Sequence, residues 1–477
     1  MPDTNVIKFG TDGWRALIAR DYTFANVRYC AEGVCRLLRE QGLAGRGLVI
    51  GHDTRYGSAD FAAEAAQVAA GHGIHTYLFD RVTPTPVTSY NLLHRKAGGG
   101  IVITASHNSG AWNGFKYKPE YAGSASPEVT AALEGHITDA VRDGATKWMP
   151  LAEARAKQLV EMPAPAGPYL ANLARILDLD GMRNAGLRIV VDSMHGAGGG
   201  YLAGLLYGGS TRVTEVRGEP DPLFPGMGQP EPITQNLWPA SAALRGGGHD
   251  VGLATDGDAD RLGVLGERGE FITTLQTFSL LALHYLEVRK ERGPLVRSLT
   301  QSAMLDRLGE RYGVPVHVTP VGFKYVGPVM MREDALAAGE ESGGYAFRGN
   351  IPERDGILSA LLFLELMVRT GKRPSELVRW LDEVVGPHFY DRWDVRLGDG
   401  AKPPTGKAIA EKAPNELAGL KVERVDTTDG ARFIFERGFW GLVRPSGTEP
   451  LLRIYAEADS PDRVKRILGA LRETAGA

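Results

Sequence analysis

Gly47-Leu-Val-Ile-Gly-His-Asp53 is a short aliphatic run ending in a polar turn, and an Ala-rich amphipathic segment near Ser58 to Ala70 follows it. A strand buried in a parallel sheet reads as such a continuous apolar run, and the following helix is the crossover that parallel strands need. Two further openings have the same form, Leu187-Arg-Ile-Val-Val-Asp192 before Ala197 to Leu206, and Pro294-Leu-Val-Arg-Ser298 before Ser302 to Tyr312. After each helix stands a second strand candidate: Thr76 to Phe79, Val213 to Val216 and Val316 to Val318. A third apolar segment then runs into a polar, Gly-containing loop. These segments are Gly100-Ile-Val-Ile-Thr-Ala-Ser-His-Asn108, Asp250-Val-Gly-Leu-Ala-Thr-Asp-Gly-Asp258 and Ala335-Leu-Ala-Ala-Gly-Glu-Glu-Ser-Gly343. Ligands of open α/β sheets sit at the carboxyl ends of strands, so three such loops can converge on one site. The pattern predicts three similar α/β domains with mixed sheets around a central cleft.

The tail has another rhythm. Trp393 to Leu397, Lys421 to Val425, Ala431 to Glu436, Trp440 to Val443 and Leu451 to Ala456 read as antiparallel strands. Ser460-Pro461 then opens a helix, with Pro at its first position, giving a C-terminal α+β domain. Boundary cues are Pro163-Ala-Pro-Ala-Gly-Pro168, the turn at 267–270 and the stretch 370–387. They divide the chain into 1–160, 161–269, 270–380 and 381–477.

Composition excludes several function classes. The 477 residues carry 54 Lys+Arg against 57 Asp+Glu, a net charge of −3, so there is no general electrostatic hold on nucleic acid or an anionic membrane. With 43% hydrophobic and 23% charged residues the chain is globular rather than disordered. Its 61 glycines, about 13% where about 7% is usual, are therefore not low-complexity filler. Cys30 and Cys35 share one helical stretch on different faces, which predicts no disulfide. No signal-peptide layout or membrane-length apolar run stands out, so the expected compartment is the cytoplasm and the expected assembly a monomer or small homo-oligomer.

Four loops carry chemistry. Asp256-Gly-Asp258-Ala-Asp260-Arg261 spaces three carboxylates at alternate positions, a set of oxygen ligands suited to Mg²⁺. An EF-hand reading would place Glu267 twelfth, but its sixth position is Arg261 rather than Gly and strands flank the loop. A haloacid-dehalogenase-like reading meets Asp260 where Thr or Val is expected, and a solvated acidic turn is the bland alternative. In Thr104-Ala-Ser-His-Asn-Ser-Gly-Ala-Trp-Asn-Gly-Phe-Lys116, Ser106 sits in a sharp turn beside His107, Asn108 and Lys116, where a hydroxyl can carry a phosphoryl group if cations hold the phosphate. Arg444-Pro-Ser-Gly-Thr-Glu-Pro450 joins a guanidinium, two hydroxyls and a Gly that suit a phosphate monoester. Gly339-Glu-Glu-Ser-Gly-Gly344 offers acceptors for sugar hydroxyls. Each of the last three is also an ordinary turn taken alone. Together they point to phosphoryl transfer on a sugar phosphate.

The chain also resembles the α-D-phosphohexomutases over nearly its whole length. The matching stretches are Phe9-Gly-Thr-Asp-Gly-Trp-Arg15, Thr104 to Asn108 with Asn113-Gly-Phe-Lys116, Asp256 to Arg261, Gly339 to Gly343 and Arg444-Pro-Ser-Gly-Thr-Glu449. The resemblance implies four domains, Ser106 as phosphoserine, and Asp256, Asp258 and Asp260 binding Mg²⁺ with a phosphoserine oxygen. Arg261 would lie against that phosphate, while Arg15, His107 and Lys116 would flank the reaction, Lys116 as an acid/base. Glu340 and Ser342 would read sugar hydroxyls; Gly322-Phe-Lys-Tyr325, which repeats Gly114-Phe-Lys-Tyr117, is separately expected to border them. Arg444, Ser446, Gly447 and Thr448 would hold the non-transferring phosphate. Glucose 1,6-bisphosphate is the implied intermediate and activator, and a hexose phosphate the substrate. Glu340-Glu341 leans toward glucose, since the phosphoglucosamine branch usually reads Glu-Gln there; mannose and glucosamine phosphates are the alternatives. Some relatives carry His where this chain has Gly344. A Mg²⁺-dependent phosphatase and a silent sugar-phosphate binder are rivals of other classes.

Overall fold

The structure, a computed structural model, describes residues 7–10, 12–398, 403–445 and 451–476. Its first sheet has the spatial order Trp14–Leu17, Trp112–Pro119, Gly99–Ile103, Leu48–His52, Thr76–Leu78, Val160–Glu161. Leu48–His52 runs parallel to Gly99–Ile103 and Thr76–Leu78, whereas Trp112–Pro119 returns antiparallel on Gly99–Ile103. The second sheet repeats this plan. Arg188–Asp192 lies parallel to Arg212–Val216 and Val251–Thr255, and Leu262–Leu265 returns antiparallel on Val251–Thr255. In the third, Leu295–Ser298 lies parallel to Val316–Thr319 and Ala337–Gly339, with Tyr345–Phe347 antiparallel on the latter. Three mixed sheets therefore share one rule. Each candidate loop, at 104–111, 256–261 and 340–344, joins the last parallel strand to its antiparallel return.

The C-terminal domain is an antiparallel sheet in the order Phe389–Arg396, Leu451–Ala458, Trp440–Pro445, Ala431–Phe435, Leu420–Asp426, Glu416–Leu417. Helix Pro461–Ala475 packs on it, and the Ser460 hydroxyl caps that helix by accepting the Arg463 amide. Three α/β domains and an antiparallel C-terminal domain are thus the architecture that the strand rhythm implied.

Some elements differ from the sequence reading. The helix expected over Ala197 to Leu206 spans only Tyr201–Leu205, because the Ala197 amide donates to the Gly257 carbonyl at 2.9 Å and holds the preceding turn against the Asp loop. The helix expected from Ser302 begins at Met304, since the Ser302 hydroxyl caps the Met304 amide from outside. Cys30 and Cys35 are both free and buried. No helix among the described residues is long and apolar enough to cross a membrane.

Buried clusters form within the domains and also across their boundaries. The first domain and the C-terminal domain each bury their own cluster. The second and third share one, in which Ile189 and Leu253 of the second sheet join helix Gly356–Thr370 of the third domain. That helix is capped by Asp355, which accepts the Leu358 amide at 2.8 Å and the Tyr169 hydroxyl at 2.8 Å. Burial pushes the Asp355 carboxyl up to about 6 despite these hydrogen bonds. A carboxyl raised in the folded state favours folding most when protonated, so its contribution is full below the unfolded value of about 4 and is lost as pH rises through about 6. Asp355→Asn is expected to remove this loss, on the order of 2 kcal/mol, from the difference between unfolding free energies at about pH 4 and about pH 7. Denaturant titrations at both pH values check it; an unchanged difference would contradict the assignment.

Candidate active site

Ser106 follows the fully buried strand Gly99–Ile103 and takes φ +53°, a conformation uncommon for a residue with a Cβ. Its turn is tightly held. The Ser106 amide donates to Thr104 Oγ1 at 2.8 Å, and the Thr104 hydroxyl donates to Asp53 Oδ2 at 2.6 Å. Arg55, paired with Asp53 at 3.0 Å, donates to the carbonyls of Ser106, Asn108, Ser109 and Trp112 at 2.5–2.9 Å. One buried guanidinium therefore fixes four peptides of the loop. The Ser106 hydroxyl is left to donate to Asp256 Oδ2 at 3.1 Å, with His107 Nδ1 at 3.4 Å.

The Asp loop closes on itself, Asp256 Oδ1 accepting the amides of Asp260 and Arg261 at 3.0 and 3.1 Å. Asp258 Oδ2 accepts the Thr85 hydroxyl at 2.7 Å and Lys116 Nζ at 2.9 Å, both from the first domain. One oxygen from each of the three aspartates lies within 4.8 Å of the others, and all three residues are buried. The Oδ1 atoms of Asp258 and Asp260 are buried without hydrogen-bond partners among the described residues. Unpartnered carboxylate oxygens converging in a buried place fit a hard divalent cation, whose ligands are oxygens. Burial, then the neighbouring Asp260 and Asp258, pushes the Asp256 carboxyl up. Burial acts the same way on Asp258, but Lys116, the Thr85 hydroxyl and Arg354 together outweigh it and hold that carboxyl well below the usual range. The EF-hand alternative fails on geometry, because Glu267 accepts the Ser375 hydroxyl at 2.5 Å and belongs to another contact.

Gly257 lets the two loops touch. A Cβ there would lie 2.5 Å from the Ser106 carbonyl oxygen, a backbone atom that cannot swing aside. Gly257→Ala is expected to part the loops and lower kcat by about a hundredfold, as a misplacement of about 1 Å does. Steady-state kinetics check this, and a wild-type kcat would contradict it.

The cations are shared among the carboxylates. Lys116 Nζ lies 2.7 Å from Asp12 Oδ2 and 3.5 Å from Asp260 Oδ2 besides its bond to Asp258. Burial alone would lower this ammonium, but the three carboxylates raise it and keep it charged. His107 is pushed the other way, by burial and then by Arg261, Arg15, Lys116 and Arg354, and is neutral. Arg261 pairs with Glu231 at 2.7 Å, its Nε 4.0 Å from Asp256, while Arg15 donates to Asn108 Oδ1 at 2.8 Å.

The sugar loop is joined directly to the Asp loop by the Leu262 amide, which donates to the Gly343 carbonyl at 2.9 Å. Glu340 is buried and its Oε1 accepts the Gly322 amide at 2.7 Å; Ser342 beside it is half-buried. Glu341 turns elsewhere. Its carboxylate accepts the Tyr390 hydroxyl at 2.9 Å and lies 3.5 Å from Arg392, both at the start of the C-terminal domain. The second Glu of this loop is thus a domain contact, which removes it as a direct reader of the sugar. Arg444 is held through Nε by Asp429 at 2.8 Å. Ser446, Gly447 and Thr448 lie outside the described residues.

Several site residues escaped the sequence reading, Arg55, Thr85, Lys118, Glu231, Glu353 and Arg354 among them. Arg354 is the most consequential. It reaches Asp12 at 2.5 Å, Asp260 at 3.1 Å and Glu353 at 3.1 Å, and Lys118 meets Glu353 at 2.6 Å. A Cβ on Gly344 would lie 2.3 Å from Arg354 Cδ, so this side chain fills the space that a larger residue at 344 would need. Only Glu353-Arg-Asp-Gly356, a charged tetrapeptide before a helix, marks these residues in the sequence.

Comparison with known proteins agrees with this geometry. Models of the phosphoglucomutase/phosphomannomutase family match in sequence: alpha/beta/alpha domain I over 6–142, domain II over 167–269, domain III over 275–383 and the C-terminal domain over 394–474. A phosphoglucomutase/phosphomannomutase of Thermococcus kodakarensis is 32% identical over 96% of both chains. A phosphoglucosamine mutase of Cereibacter sphaeroides is 30% identical over 98% of this chain and 99% of its own. Among solved structures, a Thermus thermophilus protein provisionally described as a phosphomannomutase is 36% identical, covers 99% of each chain and superposes with a TM-score of 0.83. With matches to all four of its domains in order, the chain belongs to the phosphoglucomutase/phosphomannomutase family, the α-D-phosphohexomutases.

Proposed function

We propose that this protein interconverts hexose 1-phosphates and hexose 6-phosphates through a phosphoserine at Ser106, with glucose phosphates as the preferred pair. The observation that carries the reading is the Ser106 hydroxyl, held 3.1 Å from Asp256 within a buried cluster that fits a divalent cation. In the forward half-reaction the phosphoserine P–Oγ bond breaks as a hydroxyl oxygen of the bound monophosphate takes the phosphoryl group. The sugar hydroxyl gives up a proton and Oγ gains one, leaving Ser106 and glucose 1,6-bisphosphate. The bisphosphate turns over and returns its other phosphoryl group by the reverse step.

Asp256, Asp258 and Asp260 would hold Mg²⁺, which supplies positive charge against the transferring phosphoryl oxygens. Lys116 and Arg261 add fixed charge from the protein, and such preorganised electrostatics supply most of phosphoryl-transfer catalysis. Lys116, held as ammonium, is placed to donate a proton or hydrogen bond rather than to act first as a base. Neutral His107 is a hydrogen-bond partner for Oγ, and Arg15 steadies the serine loop through Asn108. Glu340, fixed by Gly322, accepts from sugar hydroxyls with Ser342. Arg444, with Ser446, Gly447 and Thr448, grips the phosphate that stays. Closure of the C-terminal domain would exclude the water that hydrolyses a reactive phosphoenzyme.

The Cereibacter relative supports glucosamine phosphate as a second reading. One experiment tests both readings: incubation with glucose, mannose or glucosamine 1-phosphate, Mg²⁺ and a trace of the matching bisphosphate. Glucose 6-phosphate formed fastest supports the proposal, and glucosamine 6-phosphate formed fastest favours the second reading. Release of inorganic phosphate from every substrate would make the protein a phosphatase, and binding without turnover a silent binder.

A further inference from the structure

We propose that Asp429 is a positioning residue that sets the distance between the phosphate-gripping Arg444 and the sugar-reading Glu340; this rests on the substrate roles given to those two residues above. Two consecutive amides make the connection. The Val321 N–H donates to Asp429 Oδ2 at 3.1 Å, and the Gly322 N–H donates to Glu340 Oε1 at 2.7 Å. The other oxygen of Asp429, Oδ1, accepts Arg444 Nε at 2.8 Å. Glu340 and Arg444 belong to different domains, yet one carboxylate and one dipeptide tie them together.

The backbone makes this tie stiff. Gly322 has φ +123°, which only glycine adopts readily, and there the two amides reach carboxylates on separate loops. Gly430 beside Asp429 has φ +107°, and a Cβ on it would lie 2.5 Å from the Val443 carbonyl and 3.2 Å from Arg444 Cα. The turn bearing Asp429 is therefore seated on the strand that bears Arg444. Gripping the guanidinium by its Nε edge leaves the opposite Nη edge as the one that meets a phosphate. Among the described residues, the other hydrogen bonds between the third and C-terminal domains do not reach the Arg444 side chain, although one of them ends at Trp440 on the same strand. Glu457 accepts the Ala303 amide at 2.8 Å and the Trp440 indole at 2.7 Å, and Tyr390 meets Glu341. Among the described residues, the Asp429 relay joins the phosphate grip to the sugar reader, so it sets which spacing of phosphate and hydroxyl is bound best.

Asn at 429 keeps one acceptor and turns an NH₂ donor toward either Val321 N–H or Arg444 Nε, breaking one link of the relay. The test is calorimetric titration of glucose 6-phosphate into wild type, Asp429→Asn, Glu340→Gln and the double variant. The expected result is about tenfold weaker binding by Asp429→Asn, and a double variant at least about fivefold tighter than the product of the two single losses. Losses that multiply within about twofold, or unchanged binding by Asp429→Asn, overturn the relay, because sites without shared partners behave additively. Asp429→Glu keeps the charge but displaces the oxygens by one methylene; it must show the same non-additivity, and it carries the test should the Asn variant not fold. Wild type that fails to bind glucose 6-phosphate overturns the functional reading and the relay with it, whereas wild-type binding with multiplying losses overturns the relay alone.

Discussion

Ser106→Ala is expected to lower mutase turnover by at least about a thousandfold, because the variant has no atom to carry the phosphoryl group between the two half-reactions. Intact-mass measurement of wild type after exposure to glucose 1,6-bisphosphate should show one added phosphoryl group, and the variant none. Folding should survive. The turn at 104–109 is held by Thr104, Asp53 and the four carbonyl bonds of Arg55, none of which uses the serine hydroxyl. Its one strong side-chain bond goes to Asp256 Oδ2, and Asp256 stays anchored without it through the Asp260 and Arg261 amides on Oδ1. Thermal unfolding should therefore shift little. A variant that retains wild-type turnover would sink the phosphoserine mechanism, and phosphate elsewhere on the chain would relocate it.

Arg354→Ala is the second large effect, on stability and on turnover together. Arg354 is 4% exposed and its guanidinium lies between Asp12, Asp260 and Glu353, so its loss leaves the buried Asp260 and Glu353 and the partly buried Asp12 short of a cation. Breaking a buried ionic contact by deleting one partner costs about 3–5 kcal/mol, since the other charges stay desolvated. Lys116 and Lys118 share these acids and soften the loss without the fork geometry, and for that reason Arg354→Lys should recover only part of it. The guanidinium also stacks over Phe323 with its carbon 5.4 Å from the ring centroid, next to Gly322 of the sugar site. Turnover should fall with stability as Asp260 and Asp12 shift, even at temperatures where the variant is folded. Denaturant midpoints and kcat check both parts; wild-type values of either would remove Arg354 from the site. An arginine stays protonated, so beside Gly344 it contributes charge and shape where a histidine could exchange a proton.

Much of this was legible in the chain. Aliphatic runs such as Leu48–His52 bury every residue, and a strand covered on both faces has to be apolar throughout. The loops were legible because strand ends in open α/β sheets are where polar residues can gather without breaking a core, and Ser106, Asp256 and Glu340 each stand just beyond such an end. Arg55 was not legible: an arginine after a strand has no pattern to distinguish one facing water from one that donates to four carbonyls. Glu341 misled for a related reason. Adjacent carboxylates in a loop look like a pair, yet the backbone turns them to opposite sides, one to Gly322 and the other to Tyr390.

The succession of strands and helices along the chain, the repeated domain plan and the polar make-up of each loop were therefore written in local patterns, since burial and backbone geometry act on neighbouring residues. Partnership is a different matter. Lys116 and Asp258 stand 142 positions apart, and Lys118 and Glu353 stand 235 apart. Whether a lysine there is a base or a fixed charge depends on which carboxylates the folded domains bring within hydrogen-bonding reach. Coulomb energy and desolvation depend on distance through space and on what excludes water, and neither quantity exists until the domains have packed against one another.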